Sequence, residues 1–204
     1  MKQIEVEVRG RLTKQKFEDL AAKFEEGGKF VENRHRILID YSTCLESESI
    51  KGRTRDIRLR VTNGQPEIIT KLGAWGGQDS RKELSVKTTE GSFDTLVETY
   101  AVLGYSKGML CVRDSKAYLY KDIEFALVEV PGHSYYFEAE ILVDDKSEVI
   151  DATDRINNEV GKLGLESFTS QEFCDYIELL NQEANELFDF EEVEAGYFTK
   201  RFSL

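Results

Sequence analysis

Alternation with a period of two opens the chain. In Ile4-Glu5-Val6-Glu7-Val8-Arg9-Gly10-Arg11-Leu12 the aliphatic side chains take one face and Glu5, Glu7, Arg9 and Arg11 the other, as along a strand. The pattern returns in Ile57–Val61, with Arg58 and Arg60 on one face, and in Glu67–Leu72, which carries Lys71. It returns again in Arg81–Lys87, where Arg81, Glu83, Ser85 and Lys87 align, and in Tyr136–Val143, where Glu138 and Glu140 align. Further strands are predicted at Phe30–Asp40, Met109–Arg113 and Ala117–Ala126, the last broken around Lys121-Asp122. Asn63-Gly64 marks a two-residue hairpin, and Pro131-Gly132 another turn. Helical spacing replaces alternation after Thr13, an N-cap, for a helix carrying Phe17, Leu20, Ala21 and Phe24 and stopped by Gly27-Gly28. Helices are also predicted over 92–103, over 147–163, and from Ser170 with Phe173, Tyr176, Ile177 and Leu180 on its stripe. The segments 41–54 and 73–79 are loops, and Trp75 reads as a loop anchor.

At least five strands thus set charge against aliphatic residues, and the charged faces are almost purely Glu, Arg and Lys. A solvated face would mix in Thr, Ser and Gln, and the amphipathic helices need an apolar surface to cover. The economical solution is an α+β fold built on a closed eight-stranded antiparallel β-barrel, apolar outside under helices and charged within, closure also removing strand edges. Such a lumen must be hydrated and balanced in sign, or balanced by a ligand. With 204 residues and 40% hydrophobic content the chain has material for one domain with a sizeable core. That domain is expected over 1–181, with 182–204 an extension, acidic then aromatic, that no pattern places.

Charge and composition narrow the chemistry. A net charge of −12 argues against a nucleic-acid polymer or an anionic membrane as partner. The absence of a long apolar run or a leader-like start, with three cysteines at unrelated spacings, suits a cytoplasmic protein. With two histidines, any metal is expected to be a hard cation on carboxylates, Mg²⁺ or Mn²⁺, held by Glu5, Glu7, Glu138 and Glu140. Arg9, Arg58, Arg60, Lys71 and Arg113 supply donors for phosphate oxygens. A small polyphosphate bridging metal and basic groups would neutralise both sets. Arg81, Glu83 and Lys87 are further candidates on the same faces; His35 reads as a partly exposed strand residue. No nucleophilic triad, Walker loop or dinucleotide fingerprint competes.

Glu5-Val6-Glu7-Val8-Arg9 resembles the ExExK signature of the CYTH family, the triphosphate tunnel metalloenzymes. The resemblance runs on in order through Arg58-Leu59-Arg60, Lys71, Arg81-Lys82-Glu83, 100–104, Phe137-Glu138-Ala139-Glu140, and the ending 161–165 and 170–180. It implies a tunnel whose glutamates bind divalent metal while basic residues hold a triphosphate, with Arg9, Lys71 and Glu83 in catalytic positions. It also places Glu129 at an acidic family position before the glycine turn, as a further metal ligand. The function implied is hydrolysis of tripolyphosphate, thiamine triphosphate or a nucleoside triphosphate by a monomer or homodimer. The alternatives are a class IV adenylate cyclase and a non-catalytic polyphosphate or nucleotide binding module. Two positions depart from the pattern. Arg9 stands for lysine, and Ser115 stands where a basic residue is usual, unless Lys116 replaces it through a bulge.

Overall fold

Eight antiparallel strands close on themselves around the charged faces. The computed structural model describes residues 4–45, 50–74 and 76–204. In chain order the elements are β1 (Ile4–Leu12), α1 (Lys14–Gly27), β2 (Lys29–Asp40), β3 (Arg55–Thr62), β4 (Gln65–Leu72), β5 (Gln78–Lys87) and α2 (Phe93–Val102). There follow β6 (Lys107–Tyr120), β7 (Ile123–Val130), β8 (Ser134–Val143), α3 (Val149–Lys162), α4 (Ser170–Glu183), β9 (Glu186–Asp189) and α5 (Tyr197–Phe202). Around the ring the order is β2, β3, β4, β5, β1, β8, β7, β6, and β6 pairs back onto β2. Counting round this ring, β1 stands diametrically opposite β2, and β8 opposite β3. The ninth strand lies outside it, on residues 107–110 of β6.

The sequence splits the region after α2 differently from the structure. Residues 107–120 form one continuous strand, because Asp114 and Lys116 are outward-facing residues that interrupt only the apolar outer row. The break at Lys121-Asp122 is a hairpin turn, both residues having positive φ (54° and 58°), a conformation that a two-residue hairpin demands even without glycine. Asn63-Gly64 makes the corresponding turn between β3 and β4, with φ of 49° and 85°.

The hydrophobic core lies outside the barrel wall. Thr13 caps α1 through its side chain, and Leu20, Ala21 and Phe24 of that helix pack with Val6, Val8, Phe125 and Phe137 on the outer faces of β1, β7 and β8. Ala152, Ile156 and Val160 of α3 complete this cluster. A second cluster joins Ile37, Ile39, Leu59 and Val61 to Phe93 and Val97 of α2. Here the tail 182–204 finds its place: Phe198 of α5 meets Phe93 ring to ring at 4.9 Å, and Asp94 accepts from the Phe198 and Thr199 amides, both at 3.0 Å. Among the described residues no helix is long and apolar enough to cross a membrane.

The remaining helix, α4, lies across one end of the barrel. Thr169 and Glu172 start it with a reciprocal capping box. Its approach depends on Gly10. The segment before α4 crosses β1 there, with the Phe168 amide donating to the Arg9 carbonyl at 2.8 Å. A Cβ on Gly10 would lie 2.0 Å from the Glu166 carbonyl oxygen, so only glycine admits the crossing.

Beneath the barrel wall at this end sits a buried ionic floor that sequence reasoning missed. Asp56, fully buried, accepts from Arg58 and Arg81, both at 2.6 Å, and from Arg53 at 3.2 Å. Arg53 also bonds Asp40 at 2.7 Å. Burial alone would raise the Asp56 carboxyl, but Arg58, Arg81 and Arg53 outweigh it and hold it down at about 2.

Two outcomes follow. Phe24→Ala empties the centre of the outer cluster and is expected to cost about 3–5 kcal/mol in urea unfolding, a core-sized loss for a residue that an ordinary barrel would leave on its surface. Asp56 is depressed below its unfolded value, so its contribution, of order 2–3 kcal/mol, is complete above about pH 4 and disappears as pH falls towards about 2. Urea midpoints measured across that range are expected to fall steeply for the natural chain. For Asp56→Asn, already weakened at neutral pH by its unpaired arginines, they fall less steeply.

Candidate active site

The lumen collects nearly every charged face that the alternation predicts. A cavity of about 530 Å³ is lined by Glu5, Glu7, Arg9, Arg58, Arg60, Lys71, Glu83, Lys87, Glu138 and Glu140. The structure adds Glu32, Arg34, Arg36, Glu67 and Glu124, which sequence reasoning did not assign. The signal for two of these is present in the chain: Arg34-His35-Arg36 is an alternating basic pair of the same form as Arg58-Leu59-Arg60.

The charges are segregated by wall. Carboxylates predominate on β1 and β8, which carry Glu5, Glu7, Glu138 and Glu140 beside Arg9; arginines predominate on β2 and β3, diametrically opposite, which carry Arg34, Arg36, Arg58 and Arg60 beside Glu32. On the acidic wall, Glu7 is directly across from Glu140, and Glu140 directly across from Glu124, so three carboxylates stand side by side on β1, β8 and β7. Like charges in register repel, and such a row is stable only if protonated or bridged by cations. Burial, reinforced by Glu138 and Glu5 and opposed by Arg9, pushes Glu7 up to about 7. Burial with Glu5 and Glu7 pushes Glu140 well above the usual carboxylate range.

Side-chain cations partly answer this demand. Arg9 bonds Glu7, reaches Asp79 at 2.8 Å, and lies 3.6 Å from Glu138. Lys71 bonds Glu5 and stands 3.1 Å from Glu83. Burial opposes charge on both partners, yet Lys71, with Arg9 and Arg81, holds Glu5 down at about 2. Burial likewise disfavours the Lys71 ammonium, but Glu5, Glu7 and Glu83 raise it, so Lys71 stays charged at neutral pH.

The donor set of the acidic wall is all oxygen and short of positive charge, which fits a hard divalent cation. With Glu5 and Glu7 turned to Lys71 and Arg9, no three His, Cys, Asp or Glu side chains among the described residues are gathered closely enough to ligate one. Seating a metal therefore means exchanging those pairings.

Several expected site residues are placed elsewhere. Glu129 is not in the lumen. It occupies an odd position of β7, on the row of Phe125 and Leu127, and accepts from the Tyr135 hydroxyl at 3.2 Å in an outer hollow shared with His35 and Asp114. Arg81 is 1% exposed and spent on Asp56 and Asp79, so it braces the floor and does not line the cavity. Arg113 faces the lower bore, where it bonds Asn185 at 2.8 Å. Ser115 also faces inward, while Lys116 faces out. The register of β6 is unbroken there, and the irregularity in its pairing with β2 lies between Phe30 and Glu32, so Lys116 does not replace the missing cation. His35 is exposed on the outer face, 2.7 Å from Asp114. Trp75 lies outside the described residues.

Below the main cavity the bore narrows to a hollow of about 130 Å³ lined at its far end by Phe173, Tyr176, Ile177 and Leu180 of α4. The Arg9 guanidinium lies 5.1 Å from the Phe173 ring centre, joining the acidic wall to α4.

No family model matches this chain. No curated protein matches it. Solved structures do. A Pyrococcus horikoshii protein, PH1819, superposes with a TM-score of 0.70 at 25% identity, over 88% of this chain and 99% of its own. A protein of Vibrio parahaemolyticus described as a candidate adenylate cyclase gives 0.63 at 15% identity, over 86% and 99%. A candidate adenylyl cyclase of Hippeastrum described as having a dominant triphosphatase activity gives 0.55 at 11%, over 82% and 90%. The closed, helix-covered eight-stranded barrel is the fold that this chain shares with them.

Proposed function

We propose that this protein is a divalent-metal-dependent triphosphatase that hydrolyses a small triphosphate inside the barrel. The observation that carries this reading is the opposition of walls: a row of carboxylates on β1, β8 and β7 faces arginines on β2 and β3 across one cavity. A polyphosphate is the ligand class that needs both, anionic oxygens for the arginines and a cation for the carboxylates. The likeness of fold to a protein described with triphosphatase activity supports it.

In this reading Glu5, Glu7, Glu138 and Glu140 would hold Mg²⁺ or Mn²⁺. When bound, that ion would supply charge neutralisation at the phosphate oxygens and a more acidic water. The chain's own residues do the rest. Arg58 and Arg60 are held in place by Asp56 and Glu67, each at 2.6 Å, and orient the phosphates without reorganising as charge shifts. Lys71 and Arg9 remain protonated, so both act on developing negative charge and neither carries a proton away. Glu83, bonded to Lys71 on the cavity side, orients the attacking water. Arg81 acts through Asp56, as a support for Arg58.

A second reading is an adenylate cyclase, favoured by the hollow against α4, which beside its arginines offers Tyr136 and Phe173 to an organic group. Incubation with Mg²⁺ or Mn²⁺ and tripolyphosphate, thiamine triphosphate or ATP separates the readings: free phosphate is expected, cyclic AMP would replace the first reading by the second, and saturable binding without turnover would reduce the protein to a binding module. Glu5→Gln combined with Glu7→Gln is expected to lower metal-dependent turnover by at least about a hundredfold with the circular dichroism spectrum retained. Unchanged rates in that variant would remove the acidic wall from the chemistry.

A further inference from the structure

The lumen arginines differ in how they are compensated. Arg9, Arg34, Arg58 and Arg60 each have a carboxylate within 3.2 Å. Among the described residues Arg36 and Arg113 have none within ion-pairing distance. Arg113 is tied to neutral oxygens of Asn185 and Val112, and the Arg36 Nε is sealed from solvent with no hydrogen-bond partner. These two stand directly across from each other on β2 and β6, both facing inward. Two like charges in register repel, and a buried guanidinium nitrogen without an acceptor carries a desolvation cost, unless an anion lies between them. Arg36 also lines both the main cavity and the hollow beneath it, which puts the pair at the waist of the bore.

The same neighbourhood accounts for Ser115. Its cross-strand partner on β2 is Arg34, one inward position along from Arg36. The cation absent from β6 is therefore matched by basic residues on the adjoining strand, whose side chains reach the same part of the bore.

We propose that Arg36, with Arg113, forms the seat for the phosphate group at the waist of the lumen, β2 supplying the charge that Ser115 leaves off β6. This rests on the triphosphate reading above and names the residue that fixes how deep the phosphate chain reaches. The seat is built for an anion that carries two or more acceptor oxygens, as the deep end of a triphosphate does and a lone metal ion does not.

The test is calorimetric binding of tripolyphosphate, with and without Mg²⁺, to the natural chain, Arg36→Gln, Arg36→Gln with Ser115→Arg, and Lys116→Gln. Loss of a charge-assisted phosphate contact is expected to weaken binding about tenfold or more in Arg36→Gln. Because the guanidinium stands beside Arg60 and Arg34 with no carboxylate among the described residues at ion-pairing distance, the same variant is expected to unfold at an equal or higher temperature. Ser115→Arg in that background is expected to recover most of the affinity, and Lys116→Gln, which faces outward, to bind as the natural chain does. Unchanged affinity in Arg36→Gln overturns the proposal and leaves the triphosphatase reading standing. So does weakened affinity that comes with lower thermal stability and is not recovered by Ser115→Arg, since that is a structural loss. Failure of the natural chain to bind tripolyphosphate in either buffer overturns both.

Discussion

Ionised side chains that leave bulk water must find opposite charge, hydrogen bonds or a residual water shell, and this requirement shapes the molecule from the inside out. A barrel whose inward faces are Glu and Arg cannot be packed solid, so it stays hydrated, and its apolar contacts move to the far side of the strands. From that follow the helices: α1 and α3 on one flank, α2 and α5 on another, each covering aliphatic residues that a conventional barrel would turn inward. The ionic floor around Asp56 belongs to the same economy. There Asp56, Arg53 and Arg81 are sealed off from solvent, with Arg58 joining them from the cavity side, three arginines converging on one carboxylate. In the cavity above the charges are matched less completely, and that imbalance is where ligand chemistry enters.

Balance by wall differs in kind from balance by pair. Arg58 and Arg60 are each neutralised locally, yet the β2–β3 side as a whole remains basic and the β1–β8 side acidic, because the partners Asp56 and Glu67 lie low on the wall or on the neighbouring strand. A ligand bridging the bore meets a field across its width. Pre-set dipoles and charges of this kind stabilise a charge distribution that shifts during reaction without having to turn toward it.

Much of this could be read from the chain because strand alternation is a local property. Glu5, Glu7, Arg58, Arg60, Lys71, Glu138 and Glu140 each sit in a short run where the two faces differ sharply, and all of them face one cavity. What escaped was either mixed in pattern or decided by distant partners. Strand β2 hides Arg34 and Arg36 because its outer row passes through the exposed polar residues Asn33 and His35 before it turns aliphatic at Ile37 and Ile39. Asp56 and Asp79 are the second residues of β3 and β5, and nothing local distinguishes a buried aspartate there from a turn residue. Arg81 has the right parity and the wrong depth, since parity fixes the face but not the height along the bore. Glu129 shows the converse: a sequence position near a turn suggested a ligand, while one step in parity sends its carboxylate outside.

The crossing at Gly10 has a reach beyond backbone sterics. By letting the chain pass over β1, it delivers α4 to the end of the barrel, and among the described residues that helix turns a passage into a cup. A cup has one door. For anything entering the bore that helix stands at the far end, so a long chain would meet α4 rather than a straight run through the barrel.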